Sequence, residues 1–304
     1  MVKRFKIVDR KMVETDDESS PFVAYINPDE IEKRYLLDSL KIDEHTLHSS
    51  LDPDELSRLE FEPDHVAVIF KRPRNYSAKS QFLFKVASTG IFLYKDKLVI
   101  VIGEDVPLFD GLIFNKQVTP PYLLIRMISR SIFHYFEHLK TINFISDELQ
   151  NKINRAMENR HLLNLFTLEK SLVYYLNSIN ANGVLIEKLR TNFSKIGFNT
   201  EDIELLDDTF IENNQCYKQA EIYSNILSSL MDARASIVSN NLNVLMKTLN
   251  IVTIAIMVPT LVVSAFSMNV AIPLAKNPLA FWIILGLALL SVMGFIFFWR
   301  YKRW

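Results

Sequence analysis

Disulfides are excluded at once: the chain holds a single cysteine, Cys216, so no bridge can form within it, and a reducing compartment fits. Glycine and proline are scarce, at 7 and 11 of 304 residues, and no low-complexity tract interrupts the chain. Phosphate-cradling glycine loops, nucleophile elbows and paired cysteines are missing, which removes the common enzyme signatures. With 34 basic against 35 acidic residues, the formal net charge is −1, so the basic excess of a nucleic-acid-binding protein is absent. The N-terminus carries Lys3, Arg4, Lys6 and Asp9 and lacks the apolar core of a signal peptide, so membrane insertion would rest on later segments. His134 and His138 stand four apart on an expected helix. No third ligand lies near them in sequence, and a packed or exposed helical face is the expectation.

Charge is absent from two long stretches, Thr248–Ala275 and Leu279–Trp299. Each reaches the roughly 20 apolar residues that cross about 30 Å of hydrocarbon. So short a connection forces a hairpin with both outer ends on one side of the membrane. Arg234 and Lys247 precede the first run, Arg300, Lys302 and Arg303 follow the second, and Lys276 alone lies between them. By the positive-inside rule the long N-terminal part and the C-terminus are cytoplasmic.

The first run carries a polar stripe. Asp232, Ser239, Asn243, Met246, Asn250, Thr253, Met257, Thr260 and Ser264 recur at steps of three, four and seven and share one helical face. The other faces carry Ile251, Val252, Ile254, Val258, Leu261, Val262 and Val263. Polar groups inside a membrane turn toward a bundle interior or a wet path, because lipid offers them no hydrogen bonds. Asn243, Thr253, Thr260 and Asn269 would supply neutral oxygens to the water shell of a hard divalent cation, which sheds water reluctantly. Met246, Leu249 and Met257 would form apolar constrictions that gate by dewetting. One helix encloses no lumen, so a homo-oligomer is required.

Upstream, strands are expected over Arg4–Asp9, Pro21–Asn27, His65–Lys71, Gln81–Ser88, Gly90–Tyr94 and Lys97–Ile102. Helices are expected from Pro28 to about Leu40, over Asp43–Leu51, and through most of the chain after Pro120-Pro121. Asn182-Gly183 reads as a helix break, and Gly197 as a helix end. Thr200-Glu201-Asp202 then opens a helix without glycine or proline until Pro259, about 85–90 Å at 1.5 Å per residue. The fold class is thus an α+β membrane protein. A cytoplasmic α/β and helical domain occupies 1–200, a stalk helix 201–246 and transmembrane helix one 247–269. An extracytoplasmic loop takes 270–278, transmembrane helix two 279–299 and a basic tail 300–304.

The segments Asn243-Val-Leu-Met246-Lys247-Thr-Leu249, Pro259-Thr260 and Phe266-Ser267-Met268-Asn269-Val270 resemble the CorA family of magnesium channels. In that family the first membrane helix ends in Gly-Met-Asn. Here Ser267 stands in place of the glycine, and a left-handed turn there would make serine cost on the order of 1 kcal/mol. The resemblance implies five copies in the bacterial inner membrane, a Ser267-Met268-Asn269 metal-contacting mouth, and divalent cation as cargo without any cofactor. It also implies a regulatory cation at Asp208, facing an acid of a neighbouring body. The matching partner position near His48-Ser49 has no acid, which leaves Asp52, Asp54 or Glu55 to substitute. Val270–Pro278 lacks the acids that the family commonly carries in this loop. A zinc-handling relative of the ZntB type, and a weakly conducting membrane-anchored sensor or scaffold, are the alternatives.

Overall fold

The computed structural model describes residues 1–76, 82–110, 112–114, 118–155, 159–268 and 277–302. They divide into two compact units, Met1–Met231 and Asp232–Trp304.

The first unit is built on a seven-stranded sheet: β1 (Val2–Val8), β2 (Lys11–Thr15), β3 (Phe22–Ile26), β4 (Arg58–Phe61), β5 (Val66–Pro73), β6 (Val86–Leu93) and β7 (Leu98–Ile102). Their order is β2-β1-β3-β7-β6-β5-β4, with β3 and β7 parallel and the remaining pairs antiparallel. β3 and β7 are buried along their whole length, which explains why both read as unbroken apolar runs. Alternate residues serve opposite faces. Phe22, Ala24, Ile26, Ile100 and Ile102 pack with α3 (Pro120–Arg155) and α4 (Asn159–Thr191), through residues such as Leu123, Ile128, Leu168 and Ile186. Val23, Tyr25, Val99 and Val101 pack with Leu36 and Leu47 of α1 (Glu30–Asp38) and α2 (Glu44–Leu51).

The local signals explain most boundaries. Asp29 caps α1 in a full capping box with Glu32, and Asp43 caps α2. α5 (Phe193–Ile196) ends at Gly197 with φ 85°, the left-handed residue expected there. Three expectations are corrected. Gln81–Ser88 and Gly90–Tyr94 do not form two strands: one strand, β6, spans Val86–Leu93, and Gln81 lies outside the described residues. β2 and β4, short and rich in charge, were not anticipated.

The third correction is the most instructive. α4 runs straight through Asn182-Gly183. The buried Asn182 side chain accepts from the backbone N–H of Lys71 at 2.9 Å and donates to its carbonyl at 2.8 Å, so it ties the helix to β5. Gly183 leaves room for Asn213, whose Nδ2 would lie 2.9 Å from an added Cβ and which donates to the carbonyl of Ile179. Asn213 belongs to α6 (Thr200–Phe266), so the dipeptide is an interlock of two helices and a strand.

α6 begins with Asn199 and Asp202 bonding reciprocally to each other's backbone N–H, at 2.9 and 3.1 Å. The cap is therefore Asn199, one residue ahead of the expected Thr200. The helix passes through Pro259 without ending. α7 (Ala280–Lys302) completes the second unit.

Candidate ion pathway along α6

α6 and α7 are both long and apolar enough to cross a membrane. In their most apolar windows 0 % and 6 % of residues are buried within the chain, which sets them apart from the core helix of a soluble domain. Those exposed side chains need lipid or further copies of the chain to cover them.

The partly buried positions form a stripe on each helix. On α6 between Ile251 and Phe266 they are Ile251, Ala255, Val258, Pro259, Val262 and Phe266, and all but Pro259 recur at steps of three or four. On α7 they are Ala280, Ile284, Gly286, Ser291, Val292 and Phe295, with Ala288 buried at 7 % exposure. These stripes mark the sides of α6 and α7 that are partly covered within the second unit.

At about 100° per residue, Thr253, Met257, Thr260 and Ser264 fall on roughly the opposite side of α6 from that stripe. All four are exposed, as is Leu249 at 66 %. The threonine hydroxyls have a defined polarity. Thr253 Oγ1 donates to the carbonyl of Leu249 at 2.9 Å, and Thr260 Oγ1 to that of Ile256 at 2.7 Å. With the single donor committed to the helix, each oxygen presents only acceptor lone pairs outward. Acceptors are what the water shell of a metal cation seeks, because its waters point hydrogens outward.

The expected stripe does not stay on one side along its length. Asn243, Met246 and Asn250 border a cleft of about 620 Å³ between α6 and α7, together with Lys247, Ile251, Ile254, Phe295, Phe298, Trp299 and Lys302. They are exposed and lie on the edge between that cleft and the free face. Asp232 and Ser239 are likewise exposed on α6.

At the far end α6 closes at Phe266, and Ser267 folds back with its N–H and hydroxyl donating to the carbonyl of Ser264 at 3.1 and 2.9 Å. Ser267 is not among the residues of positive φ, which are Asp9, Arg10, Asn27, Lys41, Phe82 and Gly197. Serine therefore carries no left-handed strain there, and the anticipated penalty does not arise. Met268 is 59 % exposed. Asn269, and the connection through Lys276, lie outside the described residues.

The candidates in the first unit separate in the same way. Asp208 is exposed on α6, and among the described residues no group of three or more acids, histidines or cysteines is arranged to hold a metal. Asp52, Asp54 and Glu55 lie around Lys71, whose buried ammonium donates to the Pro53 carbonyl and to Ser88 Oγ, both at 2.8 Å. Burial pushes the Lys71 ammonium down to about 8, against the pull of those three acids. His134 and His138 frame Glu137 in an H-x-x-E-H spacing that the sequence reading passed over. His138 is buried with Nδ1 2.5 Å from the Tyr175 hydroxyl, and desolvation lowers it to about 4, which is a packed histidine.

The whole arrangement has known counterparts. The family described as CorA-like Mg2+ transporter protein matches residues 17–302. The cobalt/magnesium transport protein CorA of Methanocaldococcus jannaschii is 26 % identical over 320 residues, covering 100 % of this chain and 98 % of that protein. The complete structure of that organism's CorA magnesium transporter superposes with a TM-score of 0.83 at 23 % identity, covering 98 % of this chain and 96 % of that one. Full-length CmaX gives a TM-score of 0.74 at 15 % identity over 100 % and 97 % of the two chains. The ZntB cytoplasmic domain of Vibrio parahaemolyticus RIMD 2210633 gives 0.59 at 12 % identity over 78 % and 98 %. These last likenesses, all under a quarter identical, speak to the fold. With the match running over almost the full length, this chain belongs to the CorA-like Mg2+ transporter family, whose members move ions and are not enzymes.

Proposed function

We propose that this chain assembles into a homopentamer in a bacterial inner membrane, termini in the cytoplasm, and conducts divalent cations, Mg2+ first among them, into the cell. The observation that carries this reading is the free face of α6, where Thr253 and Thr260 present acceptor oxygens on the side away from α7. Placed around an axis, copies of that face make rings of neutral oxygens separated by the apolar rings of Leu249 and Met257. Such rings hold a hydrated hard cation weakly enough to release it. Asn243 and Asn269 add amide oxygens at the two ends, and Met246 a further apolar ring near the inner one. Asp208 is a candidate for a regulatory cation held between subunits.

The donor set favours magnesium over zinc. Zinc sites draw on imidazole and thiolate, and the stripe from Asp232 to Asn269 contains neither histidine nor cysteine. Purified protein in liposomes, tested with Mg2+, Zn2+, Co2+ and Ni2+, decides the matter. Saturable Mg2+ influx that the other ions only compete with is expected. Selective Zn2+ flux would transfer the reading to a zinc transporter, and no flux of any ion would leave an anchored sensor or scaffold.

A further inference from the structure

We propose that the first unit contains a binding site for a small oxyanion, a phosphate or sulfate group, in the cavity between the sheet and α3. The cavity is about 220 Å³ and is walled by Arg72 on β5, Thr89 on β6, residues 106–108 and 110, and Arg130 and His134 on α3. That is room for a tetrahedral ion together with several waters.

Two of the lining residues carry buried polar atoms without a hydrogen-bond partner in the chain. Thr89 is fully buried and its Oγ1 has no hydrogen-bond partner. Arg72 is 8 % exposed, and its guanidinium is already fixed on two sides. Nη2 donates to Glu104 at 2.9 Å, Nη1 to the Pro73 carbonyl at 3.3 Å, and Nε, also buried, is left over. A buried donor without a partner costs about 1–3 kcal/mol, so such groups are rarely left idle. Here two of them line one cavity. Arg130 supplies the charge: its guanidinium lies 5.3 Å over the Phe133 ring, and among the described residues it makes no ion pair. The two acids of the wall, Asp110 and Glu137, are exposed, where water screens them, whereas the unpaired donors lie deep. The buried donors suit the oxygens of an anion, and the carboxylates at the mouth oppose its entry, so the hydrogen bonds and Arg130 must outweigh that repulsion.

The experiment is thermal unfolding of the full-length protein in detergent with sodium phosphate, sodium sulfate or a nucleoside monophosphate, each against chloride at matched ionic strength. A saturable rise in melting temperature with phosphate or sulfate is expected. The nucleoside monophosphate should bind no more tightly than phosphate, because the donors of the site reach only oxyanion oxygens. Thr89→Val keeps the side-chain shape and removes the hydroxyl, and Arg130→Gln removes charge near the surface. Each should weaken phosphate binding at least tenfold while the chloride melting curve stays two-state. Identical curves in phosphate and chloride overturn the proposal, as does an undiminished phosphate shift in both variants. A Thr89→Val protein more stable in chloride, from a wild type that ignores phosphate, would mean that the cavity holds only water.

Discussion

A threonine in a membrane helix can be a filler or a ligand. The bond to the carbonyl four residues back, which Thr141, Thr167 and Thr248 also make, fixes only the polarity of its oxygen. Thr253 and Thr260 give their hydrogens to the carbonyls four residues back, at 2.9 and 2.7 Å, and so become outward acceptors. Thr253→Val and Thr260→Val keep shape and remove that oxygen. Each should lower Mg2+ flux per folded oligomer several-fold, and serine at the same position should retain it. Equal flux in the valine and serine proteins would show that the hydroxyls contact no ion. At the mouth, the ordinary φ of Ser267 alters the expectation for glycine there. Ser267→Gly relieves nothing and frees the unfolded chain, so it should cost up to about 1 kcal/mol and leave uptake no higher. Asn269→Ala is the contrasting change. If the amide meets the incoming hydrated ion, the half-saturation concentration rises several-fold, and an unchanged value with reduced protein yield would leave Asn269 as a cap.

Elements that the sequence announced clearly are those whose neighbours impose one requirement. β3 and β7 are buried on both faces, so five apolar residues in a row had a single meaning. β2 and β4 have partial exposure and mixed charge, and only pairing with β1 and β5 makes them strands. Asn182-Gly183 misled because a local breaker signal was outweighed by tertiary bonds. Asn182→Ala would leave the Lys71 N–H buried and unpaired, at a cost of about 2–3 kcal/mol. The exposed Asn177→Ala on the same helix should cost far less, and matching melting temperatures for the two would refute the interlock. α7 gave no hint of its inner face because it is apolar on every side, so no period marks Ala288. Burial supplies that face and sharpens a cross-linking test. Cysteines at Thr253 or Thr260 should cross-link between copies more readily than those at Ile251 or Val262, which α7 partly covers. Better cross-linking at the latter pair would put the lumen on the wrong side of α6.

At the scale of the molecule, the apolar surface that one chain leaves open is what the proposed homo-oligomer would cover. Leu242, Val244, Leu245, Met246 and Leu249 are each more than half exposed on α6, ahead of and at the start of the uncharged run. Lipid would cover what lies at membrane depth, and in the proposed oligomer further copies of α6 would cover the residues before Lys247. The same copies would bring Leu249 and Met257 into rings, 66 % and 63 % exposed in the single chain. A narrow ring of such side chains holds no water file, because water in it loses hydrogen bonds that the wall cannot replace. Met257→Ser gives each ring hydroxyls and removes bulk, so the path should wet and the leak should rise at saturating internal Mg2+, when an intact channel is expected to be closed. Met257→Leu preserves bulk and apolarity and should stay tight. The measurement is Mg2+ influx into liposomes loaded with Mg2+, counted per oligomer by quantitative blot. If Met257→Ser is as tight as the wild type while Leu249→Ser leaks, the barrier sits two turns nearer the cytoplasm. If both are tight in a protein that conducts, the apolar rings of α6 are not the gate.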